Sequence, residues 1–457
     1  MKTSIFLVLF FYVAIGNAQK FPNFKPLRYD ENYSFLIKDK DSANWYKKMK
    51  YLPVNANGNA YFSFGGDLRY QYFHADNEGW GEEPKDPDGY ILSRLLLHSD
   101  FHIGKQFRAF LQIQSSQADG KISASPVDQN ALDLHQAFID FDLLGNKNEQ
   151  LLIRTGRQEM SFGSQRLVAV RDGPNNRQSF DGIKLIYEGE QFRADAFYSH
   201  YVTARKGIFD DESLQSRKFW GSYLVFKNVP WVKNIDLYYF GYERDPAAFD
   251  EGNGNEKRHS AGTRIWGRSA GFRYDTEAVW QFGKFGSEDI SAWTVSVNTG
   301  YRFPHIKFHP EIGLKGEFIS GDRNYDDGKL QTFNPLFPRG AYFGLAALIG
   351  PSNLIDVHPS LSLELAKTLD WTIDYDLFWR YSINDGIYAP NVALIYSGKN
   401  SSSKNIGQQL STDLVWNVND FLYLRGEFTW FKAGRYLKDS GPGKDILFAG
   451  TTVQLKF

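Results

Sequence analysis

The residues best suited to chemistry are cationic and crowd the first half of the chain. Arg69, Arg94, Arg108, Arg154, Arg157, Arg166, Arg171, Arg177, Lys184 and Arg193 recur among alternating apolar residues, with Asp67, Asp100, Asp181 and Asp195 between them. A guanidinium meets a carboxylate in a planar, two-point fashion and keeps its proton at any physiological pH. Many such groups, each binding weakly, suit the passage of an anion rather than its capture. The aspartates would neutralise and position them. For any one arginine two readings stay open: a contact on a substrate path, or a rung in an ion-pair ladder that stiffens a wall. Arg166 to Arg177 lie between two strands, where a loop can fold inward and narrow a pore.

Bond-making motifs do not accompany these residues. His98, Asp100 and His102 share a strand face, but the chain has neither a Gly-x-Ser-x-Gly elbow nor a His-Glu-x-x-His helix. Asp322 to Gly328 resembles a calcium loop, yet its glycine comes one place late and Phe333 stands where a bidentate Glu belongs. Gly441-Pro442-Gly443-Lys444-Asp445 lacks the spacing and the Ser/Thr of a phosphate loop. No catalytic residue, metal site or cofactor is expected, and the chain reads as a non-enzyme.

The elements that must carry these side chains are strands. Phe64, Leu68, Tyr70 and Tyr72 share one face, with Asp67, Arg69 and Gln71 opposite. Leu95, Leu97 and Phe101 oppose Arg94, His98 and Asp100 in the same way, and Ile373, Tyr375, Leu377 and Trp379 oppose Asp374, Asp376 and Arg380. Period-2 alternation with charge on one face and aromatics on the other fits a closed sheet in a membrane, charge facing a wet lumen and apolar groups facing lipid. Closure also satisfies every backbone group in hydrocarbon. Links such as Glu188-Gly189-Glu190 and Asn417 to Asp420 are short; Asp76 to Gly89, Phe209 to Arg217, Asp245 to Ser260, Gly321 to Gly350 and Ser397 to Asn405 read as long polar loops. The acidic stretch Glu78 to Asp88 would be one of these, with divalent bridging to lipopolysaccharide within its chemistry. The expected fold is all-β, a single transmembrane antiparallel β-barrel of about 16–18 strands.

Composition agrees. The chain has 457 residues, no Cys, 16% aromatic residues and a net charge of −1, which argues against a nucleic-acid partner. Mean hydropathy is −0.44. That value is low for a helical membrane protein but ordinary for a barrel, whose lumen-facing residues dilute the lipid-facing ones. Lys2, the apolar run Ile5 to Ile15 and Gly16-Asn17-Ala18 make a signal peptide over residues 1–18, placing the protein outside the inner membrane. Residues 19–60 form a polar segment with a short helix near Ser42 to Met49, lying in the periplasm or tucked into the barrel as a plug. The barrel then covers residues 61–457. Val453, Leu455 and Phe457 alternate with Thr452, Gln454 and Lys456, and a terminal Phe closing such a strand resembles the signal read by the barrel assembly machinery.

The most specific block is Gly156-Arg157-Gln158-Glu159-Met160-Ser161-Phe162-Gly163, followed by Arg166-Leu167-Val168, Arg171-Asp172-Gly173-Pro174-Asn175 and Arg177-Gln178-Ser179-Phe180-Asp181-Gly182. With Leu27 to Glu31, Phe64 to Arg69 and Leu132 to Phe138, it resembles the alginate export family of outer-membrane channels. The resemblance spans the mature chain. It implies a large barrel in the outer membrane, among its lipid and lipopolysaccharide, passing an anionic polysaccharide such as alginate or related small anions. The alternatives are a general or sugar-uptake porin without polymer specificity and, from another class, a secreted all-β glycan-binding protein.

Overall fold

The structure, a computed structural model, describes residues 24–38, 44–145 and 148–457. The expected signal peptide lies outside the described residues. Among the described residues one sheet joins twenty strands. Two of these, Leu52–Pro53 and Lys329–Leu330, are two-residue additions. The remaining strands form the wall: β1 (Ala60–Asp76), β2 (Tyr90–Ile103), β3 (Phe107–Asp119), β4 (Asn130–Asp142), β5 (Gln150–Gln158), β6 (Phe180–Glu188), β7 (Phe192–Thr203), β8 (Glu212–Val229), β9 (Lys233–Phe249), β10 (Gly252–Ser269), β11 (Phe272–Phe285), β12 (Glu288–Arg302), β13 (Glu311–Ile319), β14 (Leu354–Ala366), β15 (Leu369–Arg380), β16 (Asn405–Asn417), β17 (Leu422–Ala433) and β18 (Ile446–Lys456). Each runs antiparallel to its sequence neighbour, as Arg69↔Arg94 in β1–β2 and Glu317↔Asp356 in β13–β14 illustrate. The sheet closes where β1 meets β18, from Asp67↔Lys456 to Asp76↔Leu447. Closure removes both edges, so the wall leaves no ladder open to lipid. It is a single 18-stranded antiparallel barrel.

The alternation read from sequence sorts the side chains as a membrane barrel requires. Tyr70, Tyr72, Ile183, Trp280, Ile312, Leu314, Phe318 and Val453 point outward and are exposed. Asp67, Arg69, Arg94, Asp100, Arg154, Lys184 and Asp195 point inward and are buried. Among the described residues the outward apolar side chains meet no second sheet, unlike those of a soluble sandwich.

The short links gather at one end, with residues 104–106, 189–191 and 367–368 among them, and the long ones at the other. Two expected loops are different. Asp245 to Ser260 is not a loop: β9 and β10 continue through it and turn at residues 250–251. Phe209 to Arg217 is mostly strand, since β8 starts at Glu212. The cause is height. β8 and β10 have 18 residues each, and a tilted strand of that length rises about 40 Å, past the ~30 Å of acyl chain. Above the bilayer both faces meet water, so the apolar alternation that marks a strand fades there.

At the opposite end lies the N-terminal segment. Its helix α1 (Trp45–Lys50) starts at Asn44, whose side chain accepts from the Tyr46 and Lys47 amides. The Tyr29 ring packs edge-on against Phe110 and Phe138 inside the barrel. Phe24 and Tyr46 meet Phe421 in the β16–β17 turn.

Candidate functional site

The lumen is not an open tube. Residues 159–179, between β5 and β6, and residues 320–353, between β13 and β14, both run inside the wall. They meet at a parallel bridge between Val168 and Phe337. Backbone bonds fix it: the Ala169 amide donates to Phe337 O and the Phe337 amide to Leu167 O, each at 2.9 Å. Around the bridge, Phe180 and Phe219 pack on Phe337 with centroids at 4.9 and 5.0 Å, and Phe162, Phe197, Tyr223, Tyr238 and Phe240 extend the cluster. Apart from Phe162 and Phe337, which sit on the inward segments, these aromatics occupy lumen positions of β6 to β9, where a charged face was expected. Their burial replaces water in the middle of the bore with an apolar core.

The Arg-Asp-Gly-Pro-Asn motif anchors the first segment. Asn175, fully buried, donates through Nδ2 to Ser93 O, Gln117 O and Asp128 O, stitching the segment to β2, β3 and the loop after it. Arg69 donates to Asp172 O and to Pro174 O at 2.8 Å. Arg94 Nη2 donates to Asp172 Oδ1 at 2.8 Å. Arg177 Nε lies 2.8 Å from Glu159 Oε1. Arg166 reaches across the bore to the far wall, bonding Glu277 Oε2 (3.1 Å), Tyr342 OH (2.8 Å), Glu317 and Ser296. The motif glycines serve the wall itself. Gly156 pairs with Gly182, and a Cβ on Gly156 would sit 2.2 Å from Ala137 O, at a φ of +128°.

Other expected path residues are rungs. Arg108 bonds Asp100 in two-point fashion at 2.7 and 2.6 Å, and Arg154 bonds Asp140 at 2.8 Å twice. Lys184 Nζ lies 2.8 Å from Asp195, which Arg193 shares near the short-link end. Arg157 and Asp181 differ from expectation. They form a two-point pair with each other, but they alternate with Gln158 and Arg154, which face inward, and share the face of Ile183, exposed outside. Strand parity therefore places this pair on the outer surface, at the long-loop end, and off the lumen path.

One cationic cluster keeps unspent charge. Arg171 on the first segment lines a cavity of about 60 Å³ with Arg217, Arg244, Tyr201 and Tyr242. Arg217 stands directly opposite Arg244 in the β8–β9 register. Like charges so placed repel. Arg244 has Glu256 at 3.0 Å. Arg217 rests over the Tyr201 ring at 5.0 Å. Neither Arg171 nor Arg217 has an ion pair among the described residues. Arg217 and Arg244 were missed in the sequence because they fell in or beside segments read as loops; Phe219 two places on and Tyr242 two places back were the signal that the strands continued. At the short-link end a wider cavity, about 700 Å³, is lined by Arg264, Trp266, Arg268, Arg273 and Asp275.

The chain matches the model of a family described as alginate export over residues 60–445. No curated protein sequence matches it. Solved barrels resemble it in fold. OccK11 (OpdR) of Pseudomonas aeruginosa aligns with a TM-score of 0.53 at 12% identity, covering 87% of this chain and 96% of that one. OpdK of the same organism, solved with vanillate, gives 0.56 at 10% identity over 87% and 98%. OccAB4 of Acinetobacter baumannii gives 0.57 at 12% identity over 87% and 98%.

Proposed function

The chain belongs to the alginate export family, an outer-membrane channel by family and fold, and from that premise we propose that it passes anions, with a uronate polymer as the substrate class. The observation that carries the reading is the Arg171, Arg217 and Arg244 cluster. Two guanidinium groups set opposite each other destabilise an empty wall. A passing carboxylate would relieve that repulsion by pairing with them, and would leave again because each such pairing is weak and one of many along the path. The arginines bonded to Asp172, Glu159, Glu317 and Asp140 have a different task in this reading. They hold the two inward segments and the wall in place, so that the unspent cations point at the path.

A second reading is favoured by the aromatic core at the Val168–Phe337 bridge. A polymer needs that core to move aside, whereas small carboxylates need only a narrow route past it. OpdK was solved with vanillate, itself a carboxylate, and a channel for such solutes without polymer specificity fits the narrow cavity.

Planar-bilayer recording of the purified barrel tests both. A reversal potential favouring anions is expected under a salt gradient; no current, or cation preference, would sink the anion path. Block by oligouronates but not by neutral maltodextrins supports the polymer. Equal insensitivity to both supports the small-solute channel.

A further inference from the structure

Away from the arginines, the lumen faces of β14 and β15 bring Asp356, His358 and Asp376 together. One oxygen of each aspartate and one ring nitrogen of His358 lie within 4.8 Å of one another. Asp356 is fully buried, and neither of its carboxylate oxygens has a hydrogen-bond partner among the described residues. A carboxylate stripped of water with both oxygens unsatisfied is a heavy burden on a fold. Nearby cations are committed elsewhere. Lys315, opposite His358 in the β13–β14 register, rests over the Tyr342 and Phe343 rings at 4.6 and 4.7 Å and 3.5 Å from Glu317 Oε2. Arg166 is held by Glu277 and Glu317.

The imidazole is oriented as a ligand would be. His358 Nε2 lies 3.0 Å from Asp374 Oδ1, so a proton on Nε2 leaves the Nδ1 lone pair aimed at the aspartates. Nδ1 is 2.5 Å from Asp376 Oδ1, an approach that needs either a proton or a cation shared between the two atoms. Asp376 Oδ2 accepts from Gln409 Nε2 at 3.2 Å, which turns Oδ1 toward the cluster. A second acidic trio, Asp133, Asp210 and Asp211, is not comparable. Asp133 Oδ2 already accepts the Asp210 and Asp211 amides, and Asp211 accepts from Asn130 Nδ2 and from the Arg205 amide.

We propose that Asp356, His358 and Asp376 bind a divalent cation on the lumen wall, of the borderline class typified by Zn²⁺, with Asp374 as the group that orients the histidine. One imidazole and two carboxylates make an N/O donor set of the kind zinc takes, with a fourth position left for water or a passing carboxylate. The site does not depend on what the channel transports.

The test uses the full barrel in detergent, stripped with chelator, dialysed and titrated with Zn²⁺ alone. One equivalent per chain is expected, with affinity lowered more than tenfold in His358→Gln and in Asp356→Asn, and about tenfold in Asp374→Asn. Heat-modifiable gel mobility confirms that each variant is folded. His358→Gln, with its partly exposed side chain, serves if Asp356→Asn does not assemble. Co²⁺ in place of Zn²⁺ should give a visible spectrum that His358→Gln changes. No stoichiometric binding by the parent, unaltered affinity in folded His358→Gln, or an ion lost only in Asp211→Asn would overturn the proposal.

Discussion

Arg28 donates through Nη2 to the carbonyl of Phe457 at 2.8 Å, joining residues 429 positions apart. The same guanidinium donates through Nη1 to Gly66 O at 2.7 Å and through Nε to Glu31 Oε1 at 2.7 Å. One side chain thus spans the seam where β1 and β18 close. Both Arg28 and Glu31 are buried. Arg28→Ala removes the clamp and strands the Glu31 charge, a loss of about 3–5 kcal/mol for a broken buried pair. The temperature at which the barrel loses its compact gel mobility should fall, and Arg28→Ala with Glu31→Gln should recover part of it. An unchanged transition in Arg28→Ala would show that the seam needs no such brace.

The Arg217–Arg244 opposition predicts charge selectivity. Arg217→Glu should move the reversal potential toward cations, and Arg171→Glu should add to it. Arg157→Gln, on the outer face, should leave selectivity where it was. Measured in the same bilayer, a shift in Arg157→Gln or none in Arg217→Glu would assign the path to other residues.

Phe337 sits at the bridge between the inward segments, ringed by Phe180, Tyr201, Phe219 and Tyr242. Phe337→Ala should loosen that packing by about 3–5 kcal/mol while leaving the wall folded. Single-channel conductance is then expected to rise several-fold. Parent-like conductance would mean that current bypasses the aromatic core.

Lys50 predicts a pH dependence. Its ammonium is buried over the Tyr33 ring at 4.9 Å, with no hydrogen-bond partner among the described residues. Burial, aided by the nearby Arg28 charge, pushes it down to about 7 from its ordinary 10.5. Between those values the unfolded segment holds more protons than the docked one, so docking strengthens as pH rises. It is weakest and flat below pH 7. Proteolysis of the N-terminal segment in the intact barrel should slow several-fold from pH 7 to pH 9, and Lys50→Met should be slow at both. The opposite trend would mean that Lys50 is charged where it lies.

Sequence alternation was enough to place most wall residues on their faces, since a lipid-facing Tyr70 or Leu314 must be apolar and a lumen-facing Asp67 need not be. It failed in two places for different reasons. Above the bilayer, Asn253, Asn255 and Lys257 of β10 meet water on the outside, so polarity no longer marks a loop. Within the bore, Phe219 and Phe240 pack against inward segments whose path no local pattern reveals. The arginine-rich block was legible as chemistry but not as a division of labour. Whether Arg94 meets a substrate or Asp172 depends on where residues 159–179 fold, and that is a tertiary fact. Arg157 and Asp181 were grouped with the inward arginines and aspartates by residue type, although Arg157 lies three places from Arg154 on one strand and so must face the other way.

The bridge at Val168 and Phe337 ties together two stretches of chain that leave the wall at distant strands. Neither can withdraw without breaking the backbone bonds and aromatic packing of the other. Their release is thus a joint event with a shared threshold, and the conduit should switch between discrete levels instead of widening by degrees.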